Sequence, residues 1–346
     1  MRERRRIVEL WRQGGAVALV TLVRVEGSSY REVGARLLVA GNGEYAGSIS
    51  GGCLEAEVVR KAGWMVRGGA VVERYSTLFD DTAEIPYGLG CGGTVELLVE
   101  PAGTAEFEGL MEALEASLEG VETRVVTWLP EDGGPLRRVV GEAEMQGGFE
   151  ERAFEERIGA PQRLVVFGAG DDARPLVQMA ALMGWNVVVV DGRAQWARAE
   201  RFPEATLVVV AEGFGQLEAL GIGNRDAVVV MTHSYEQDRV WLAGALRCGP
   251  RYLGLLGARH RSALLVRETA ALLGWSVERA CEGLFAPVGL DLGGDGAEAI
   301  ALAVVSEIQA CCEGKLGSSR RMTAEMVEEQ VARGGASRYL QAQCAL

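Results

Sequence analysis

The chain is predicted to be an α/β protein, with an N-terminal α+β domain followed by a Rossmann-like doubly wound parallel-sheet domain. Three observations carry that prediction. Leu164-Val165-Val166-Phe167 runs directly into Gly168-Ala169-Gly170-Asp171-Asp172-Ala173, a G-x-G-x-x-A loop between a strand and a helix. From Arg163 onward, short apolar runs alternate with helical stretches, the texture of a parallel sheet covered on both faces. Ahead of Pro101 the pattern is instead one of strands joined by glycine turns, with helices few.

Taken in order, Ile7 to Gln13 reads as a short helix stopped by Gly14-Gly15, and Ala16 to Val25 as a strand buried on both faces. Glu26-Gly27-Ser28-Ser29 turns the chain. Arg36 to Ala40 and Tyr45 to Ser50 are strands joined by the hairpin signal Gly41-Asn42-Gly43. Leu54 to Ala62 is a strong helix former, and Val71 to Tyr75 and Thr94 to Glu100 are further strands. Phe107 to Leu118 is expected to be helical, Thr123 to Leu129 and Arg137 to Val140 extended, with turns at Gly133-Gly134-Pro135 and Gly147-Gly148. In the second half, Leu164 to Phe167, Asn186 to Val190, Leu207 to Val210, Ala227 to Met231 and Tyr252 to Leu256 are strands. Ala173 to Met183, Asp238 to Leu246 and Glu298 to Cys312 are helices, and Ala324 to Ala332 is a candidate amphipathic helix. The domains divide as 1–103, the α+β domain; 104–160, its end and a connector; 161–313, the Rossmann-like domain; and 314–346, a polar helical tail.

A net charge of −13 over 346 residues argues against nucleic acid and anionic membranes as partners. Seven scattered cysteines with no C-x-x-C pair, and two histidines, fit neither a disulfide framework nor a structural zinc site. The basic N-terminus lacks the apolar region of a signal peptide, and no apolar run reaches bilayer length, so a cytoplasmic protein with reduced thiols is expected.

Candidate chemistry centres on two cysteines set in glycine, Ser50-Gly51-Gly52-Cys53 and Gly90-Cys91-Gly92-Gly93. Cys53 would stand at a helix N-terminus, where the partial positive charge favours thiolate. Free loop amides at the same place would favour phosphate. The bland alternative is a pair of small buried hydrophobes beside chain turns. In the second domain, Gly168 and Gly170 form the fingerprint, and Asp191 ends the next strand, where an acid would meet a ribose hydroxyl. Asp171 and Asp172 oppose a pyrophosphate at this helix start, and Arg193 suits a phosphate or a different nucleotide instead of NAD. His233 follows a strand and would face the crevice, as a ligand contact or as a structural group. Gly254-Leu255-Leu256-Gly257-Ala258-Arg259-His260-Arg261 reads as a glycine turn and basic loop apt for an anion, or as a solvated basic loop. The loop Ala286 to Gly294 is either a crevice wall or a turn packed on the sheet. No hydride-transfer acid or base stands out. An NAD(P)-dependent oxidoreductase and a thiol redox protein, with a reversible Cys53–Cys91 disulfide, are the alternatives to cofactor handling.

Several of these stretches together resemble the XdhC/CoxI family of accessory proteins for molybdenum hydroxylase maturation. They are Val25-Glu26-Gly27-Ser28-Ser29, Gly34-Ala35-Arg36, Gly47-Ser48-Ile49-Ser50-Gly51-Gly52-Cys53-Leu54-Glu55 and Leu89-Gly90-Cys91-Gly92-Gly93. In the second half they are Phe167-Gly168-Ala169-Gly170, Tyr252-Leu253-Gly254-Leu255-Leu256-Gly257 and Ala286-Pro287-Val288-Gly289-Leu290-Asp291. One departure is Tyr30-Arg31-Glu32-Val33, where the family commonly has prolines around the arginine. The resemblance implies a protein that binds molybdenum cofactor, as molybdopterin or its dinucleotide form, and is a chaperone more than a turnover enzyme. It implies support for exchange of a terminal oxo ligand for sulfido and delivery to an apo molybdenum hydroxylase of xanthine, aldehyde or carbon monoxide dehydrogenase type. A cysteine desulfurase is the second expected partner, and a homodimer is a reasonable state. On this reading Cys53 and Cys91 lie near molybdenum or sulfur, suiting a soft metal–dithiolene end, and Arg31 and Arg36 hold phosphate.

Overall fold

Two compact units, one spanning Glu3–Ala160 and the other Met1–Arg2 with the chain from Pro161 onward, make up the described chain. The structure, a computed structural model, describes residues 1–52, 54–76, 93–130, 135–141, 152–211, 213, 215 and 220–317. Cys53, Cys91, Gly92, the expected turns at 133–134 and 147–148, and the tail helix at 324–332 lie outside the described residues.

α1 (Arg2–Gln13) buries Ile7, Val8 and Leu10 on one side and leads into β1 (Ala16–Glu26). β1 is the spine of the N-terminal unit: Ala18 to Val23 are all buried because both faces of the strand are covered. β2 (Arg36–Ala40), β3 (Tyr45–Gly47), β4 (Val71–Ser76) and β5 (Thr94–Pro101) complete an antiparallel sheet in the order β3-β2-β1-β5-β4. Side chains alternate between faces. Ala18, Val20 and Leu22 therefore meet α2 (Glu55–Met65), while Leu19 meets α1 and α3 (Ala105–Leu118). The expected strand at Tyr45 to Ser50 ends at Gly47, because residues 48–52 curl around a carboxylate described below.

The segment expected to run into a connector is folded into this unit. α3 is followed by β6 (Thr123–Trp128), β7 (Arg137–Val140) and β8 (Ala153–Ile158), a three-stranded sheet ordered β7-β6-β8. β8 left no sequence signal because Phe154 and Ile158 are its only buried residues, among exposed or half-buried charged ones. Arg138 of β7 reaches Glu100 of β5 with both terminal nitrogens, at 2.8 and 2.9 Å. It also donates to Thr127 Oγ1 and to the Glu106 carbonyl, and the two charged side chains are 2 % and 0 % exposed.

The second unit is a parallel sheet of β9 (Arg163–Phe167), β10 (Asn186–Asp191), β11 (Leu207–Val210), β12 (Ala227–Val230), β13 (Tyr252–Leu255) and β14 (Leu284–Phe285). Their order is β11-β10-β9-β12-β13-β14, the doubly wound arrangement with its switch between β9 and β12. α4 (Ala173–Leu182) and α8 (Ala297–Cys312) pack on one face through Leu176, Val177, Val304 and Ile308. α5 (Tyr235–Cys248) and α6 (Arg259–Leu273) cover the other, where Trp241 stacks on Phe167 at 4.6 Å. A short α7 (Val277–Cys281) precedes β14.

Gly168 has φ 126°, and a Cβ there would collide with the Met231 carbonyl at the end of β12. Gly168→Ala is therefore expected to lower stability by about 2 kcal/mol or more, since strained backbone and overpacking act together. Urea denaturation checks this, and an unchanged midpoint would mean that the two strand ends separate freely.

Candidate functional site

In the N-terminal unit the glycine loop before α2 is organised by Glu55, in the first turn of that helix. Its Oε1 accepts from Ser48 Oγ (2.7 Å), the Ile49 amide (3.0 Å) and the Ser50 amide (2.9 Å). Its Oε2 accepts from Ser50 Oγ and from the Gly52 amide at 2.9 Å. The Gly51 amide donates to Ser48 Oγ, and the Leu54 amide to Ser50 Oγ. Burial alone would raise the Glu55 carboxyl, but hydrogen bonds from Ser50 and Ser48 outweigh it and bring the pKa down to about 2. The expectation of free amides between residues 49 and 52 is thus corrected: the chain supplies its own anion.

The flanks of both cysteine loops meet a single turn. Gly51, at φ 88°, lies under the Tyr30 ring, where a Cβ would clash with Cδ1 and Cε1. Gly93 sits against the backbone of Ser28 and Glu26 so closely that any side chain would collide. Both close approaches need the bare backbone that glycine offers. The two arginines expected to hold phosphate are engaged within the unit. Arg36, 8 % exposed, pairs with Glu156 and donates to the Gly34 carbonyl, and Arg31 pairs with Glu3. Arg4 next to this cluster has its pKa lowered to about 10, by burial first and by Arg36 second.

In the second unit, Asp191 is fully buried at the end of β10. Its Oδ2 accepts from the Ala169 amide and Arg193 Nη2, both at 2.8 Å, and its Oδ1 from the Arg193 amide and Nε, both at 2.9 Å. Burial would raise this carboxyl, yet the Arg193 and Ala169 donors hold it below its ordinary value. A carboxylate accepts at about four lone-pair positions. All are filled, so Asp191 ties the fingerprint loop to Arg193, and a ribose hydroxyl would have to displace one of them.

Asp171 and Asp172, which sequence reasoning counts against a phosphate, are each paired: Asp171 with Arg201 at 2.7 Å and Asp172 with His233 Nε2 at 2.8 Å. Among the described residues the amides of Gly170, Asp171 and Asp172, which immediately precede α4, have no hydrogen-bond partner. The basic loop expected at Arg259 is instead the first turn of α6. Arg259 and His260 are exposed there, and Arg261 turns inward to Asp238 at 2.7 Å. Asp238, fully buried, also accepts from the Thr232 amide and hydroxyl, so it fixes the loop that carries His233. The loop from Ala286 packs on the sheet: the Val288 amide donates to the Leu255 carbonyl and the Gly289 amide to buried Glu307. Tyr252 also donates to Glu307, and burial pushes its own pKa up. Among the described residues no group of three or more histidine, cysteine or acidic side chains is placed to hold a metal.

Residues 10–76 match the XdhC and CoxI family, and residues 164–308 match the XdhC Rossmann domain. A relative from Bacillus subtilis, named as a probable component of xanthine dehydrogenase, is 30 % identical over 313 residues, covering 84 % of this chain and 91 % of that protein. The chain belongs to the XdhC/CoxI family. A second relative, the molybdenum cofactor insertion chaperone PaoD of Escherichia coli, is 28 % identical over 87 % of this chain and 85 % of its own. A crystal structure described as a xanthine dehydrogenase from Bacillus halodurans superposes with a TM-score of 0.77 at 26 % identity. It covers 94 % of this chain and 99 % of that one.

Within this XdhC/CoxI chain, then, Ser50, Gly51 and Gly52 form a loop framed by Glu55, and Gly168, Gly170, Asp191, Arg193 and His233 gather at the switch point. The role of Glu55 is absent from the candidate residues above, although an acid in the first turn of a helix just after a glycine loop is the signal for it. Asp172 shows along the sequence only as a charge opposing phosphate, because its partner His233 is brought to it by the fold. No helix among the described residues is long and apolar enough to cross a membrane.

Proposed function

We propose that this protein is a molybdenum cofactor chaperone. It binds the cofactor, as molybdopterin or its dinucleotide form, assists its sulfuration and inserts it into an apo molybdenum hydroxylase. The observation that carries the reading is the likeness, across both units, to a relative named for insertion of molybdenum cofactor. The convergence of Gly51 and Gly93 on the turn at Glu26 to Tyr30 supports it, because it draws the flanks of the two thiol loops together. The free amides at the start of α4 support a phosphate or pyrophosphate end at the crevice. In this reading Cys53 and Cys91 stand near the metal–dithiolene end. Arg259 and His233 contribute at the crevice, a cysteine desulfurase supplies sulfur, and the protein works as a cytoplasmic homodimer. The cofactor is cargo: what this chain supplies is a soft thiol environment and a seat for the phosphate.

Purification from molybdenum-replete cells followed by metal analysis tests the reading. Wild-type protein is expected to carry molybdenum and to activate an apo-hydroxylase. Cys53→Ser and Cys91→Ser are each expected to retain about tenfold less, the scale on which metal-site groups act, with unchanged melting temperature. Full retention and full activation by both variants would overturn the assignment of the thiols. For the nicotinamide-dependent alternative, the filled acceptors of Asp191 weigh against NAD(P). Saturable NADH fluorescence with substrate turnover would reverse that judgement.

A further inference from the structure

His233, at the carboxyl end of β12, has φ 63° and is the only non-glycine residue with positive φ among the described residues. A side chain held in that region carries backbone strain that its surroundings must sustain. The ring is 61 % exposed, while the Asp172 side chain behind it is 17 % exposed. Nε2 lies 2.8 Å from Asp172 Oδ2. A carboxylate oxygen only accepts, so Nε2 carries the proton and donates it. The other carboxylate oxygen, Oδ1, is buried with no hydrogen-bond partner, in a wall shared with Leu176, Met231 and Val304. A buried acceptor left unanswered costs stability, so folding does not account for this carboxylate. Gly170 makes the room for it: a Cβ there would lie 2.5 Å from Asp172 Oδ1 and 3.6 Å from His233 Cδ2.

We infer that Asp172 is a positioning residue that holds His233 protonated at Nε2 and leaves Nδ1 as a hydrogen-bond acceptor at the crevice. While the imidazole is neutral, the ligand group received there is accordingly a donor, such as a ribose hydroxyl, and not a bare phosphate oxygen. A neutral imidazole offers a lone pair at its free nitrogen, which takes an O–H and repels an anionic oxygen. This gives the crevice a division of labour, with anionic groups at the α4 amides and a hydroxyl at His233. It also places the sugar contact on β12, since the acceptors of Asp191 on β10 are already filled. The inference rests on the reading that the crevice takes a phosphorylated, nucleotide-like ligand.

The chain has two histidines, so nitrogen NMR distinguishes His233 from His260, an exposed residue at the start of α6 that serves as reference. At about pH 8, above the ordinary imidazole range, long-range proton–nitrogen spectra are expected to show His233 protonated at Nε2. Asp172→Ala is expected to return it to a mixture of tautomers. In calorimetric titrations at the same pH of about 8, where the ring is neutral, wild-type protein is expected to bind ADP about tenfold more tightly than 2′,3′-dideoxy-ADP, a difference of about 1.4 kcal/mol. Asp172→Ala should bring that ratio close to one. ADP should move the His233 Nδ1 resonance and inorganic pyrophosphate should not. Protonation at Nδ1, equal affinity for the two nucleotides, or no binding of ADP would each overturn the inference. Molybdenum content of the purified protein is read separately, so normal cofactor retention alongside any of those results removes this inference and leaves the chaperone reading standing.

Discussion

Glu55→Ala is expected to destabilise the N-terminal unit by about 3 kcal/mol, because a buried donor left without an acceptor costs about 1–3 kcal/mol and four half-buried donors lose their charged acceptor with it. The hydroxyls of Ser48 and Ser50 and the amides of Ile49, Ser50 and Gly52 all depend on this one carboxylate. Thermal melts and amide exchange of residues 48–52 check it, and a melting temperature within a degree or so of wild type would sink it. Glu55→Gln is the sharper variant. It keeps the shape but turns an NH2 donor toward a cluster of donors. The same arrangement sets an acid sensitivity. The folded carboxyl titrates at about 2 against an ordinary 4.5, so its stabilisation is complete above that ordinary value and drains away as pH falls toward the folded one. The gap in stability between wild type and Glu55→Gln should therefore be widest above pH 4.5 and close as the pH approaches 2. A gap independent of pH would assign the loss to packing.

Arg138→Leu is expected to cost about 3–5 kcal/mol, the range for stranding one member of a buried ion pair. Glu100 would keep its charge inside a fully buried site with both oxygens unanswered. Thr127 and the Glu106 carbonyl would lose their partner as well. The pair joins β5 of the large sheet to β7 of the small one, so the loss should appear as early exchange of the β7 amides. Replacing both charges, Glu100→Leu with Arg138→Leu, should recover much of the stability, since apolar replacements remove the desolvation cost of both ions. A double variant no better than Arg138→Leu would show that the cost comes from shape and not from charge.

Both effects turn on residues that look unremarkable along the chain. Glu100 is the last charged residue of an apolar strand, and Arg138 lies in a short run between two glycine turns; nothing in spacing pairs them across the intervening residues. Local patterns, by contrast, are plain to read where burial is repeated. Val187 to Val190 and Ala227 to Val230 are apolar throughout because both faces of a central parallel strand are covered, so their type follows directly and their edges to within one residue. β8 was hidden for the opposite reason, since only Phe154 and Ile158 of its residues are buried and its exposed face is charged.

Linear order is enough to establish that a Rossmann-like unit begins near Arg163, that an α+β unit precedes it, and which family the motifs resemble. Periodicity and glycine spacing are local properties, and they survive without knowledge of the fold. The roles of the polar groups emerge only once the chain is folded. Whether the amides of a glycine loop are free or already meet a carboxylate depends on where Glu55 lands. Whether Asp191 is available to a ligand depends on Arg193 folding back onto it. Whether Asp172 opposes an anion or orients an imidazole depends on β12 delivering His233 beside it. Hydrogen bonds are short and directional, so the same residue types yield an open site or a closed one over a displacement of a few tenths of an ångström to about 1 Å, a scale that residue spacing does not encode.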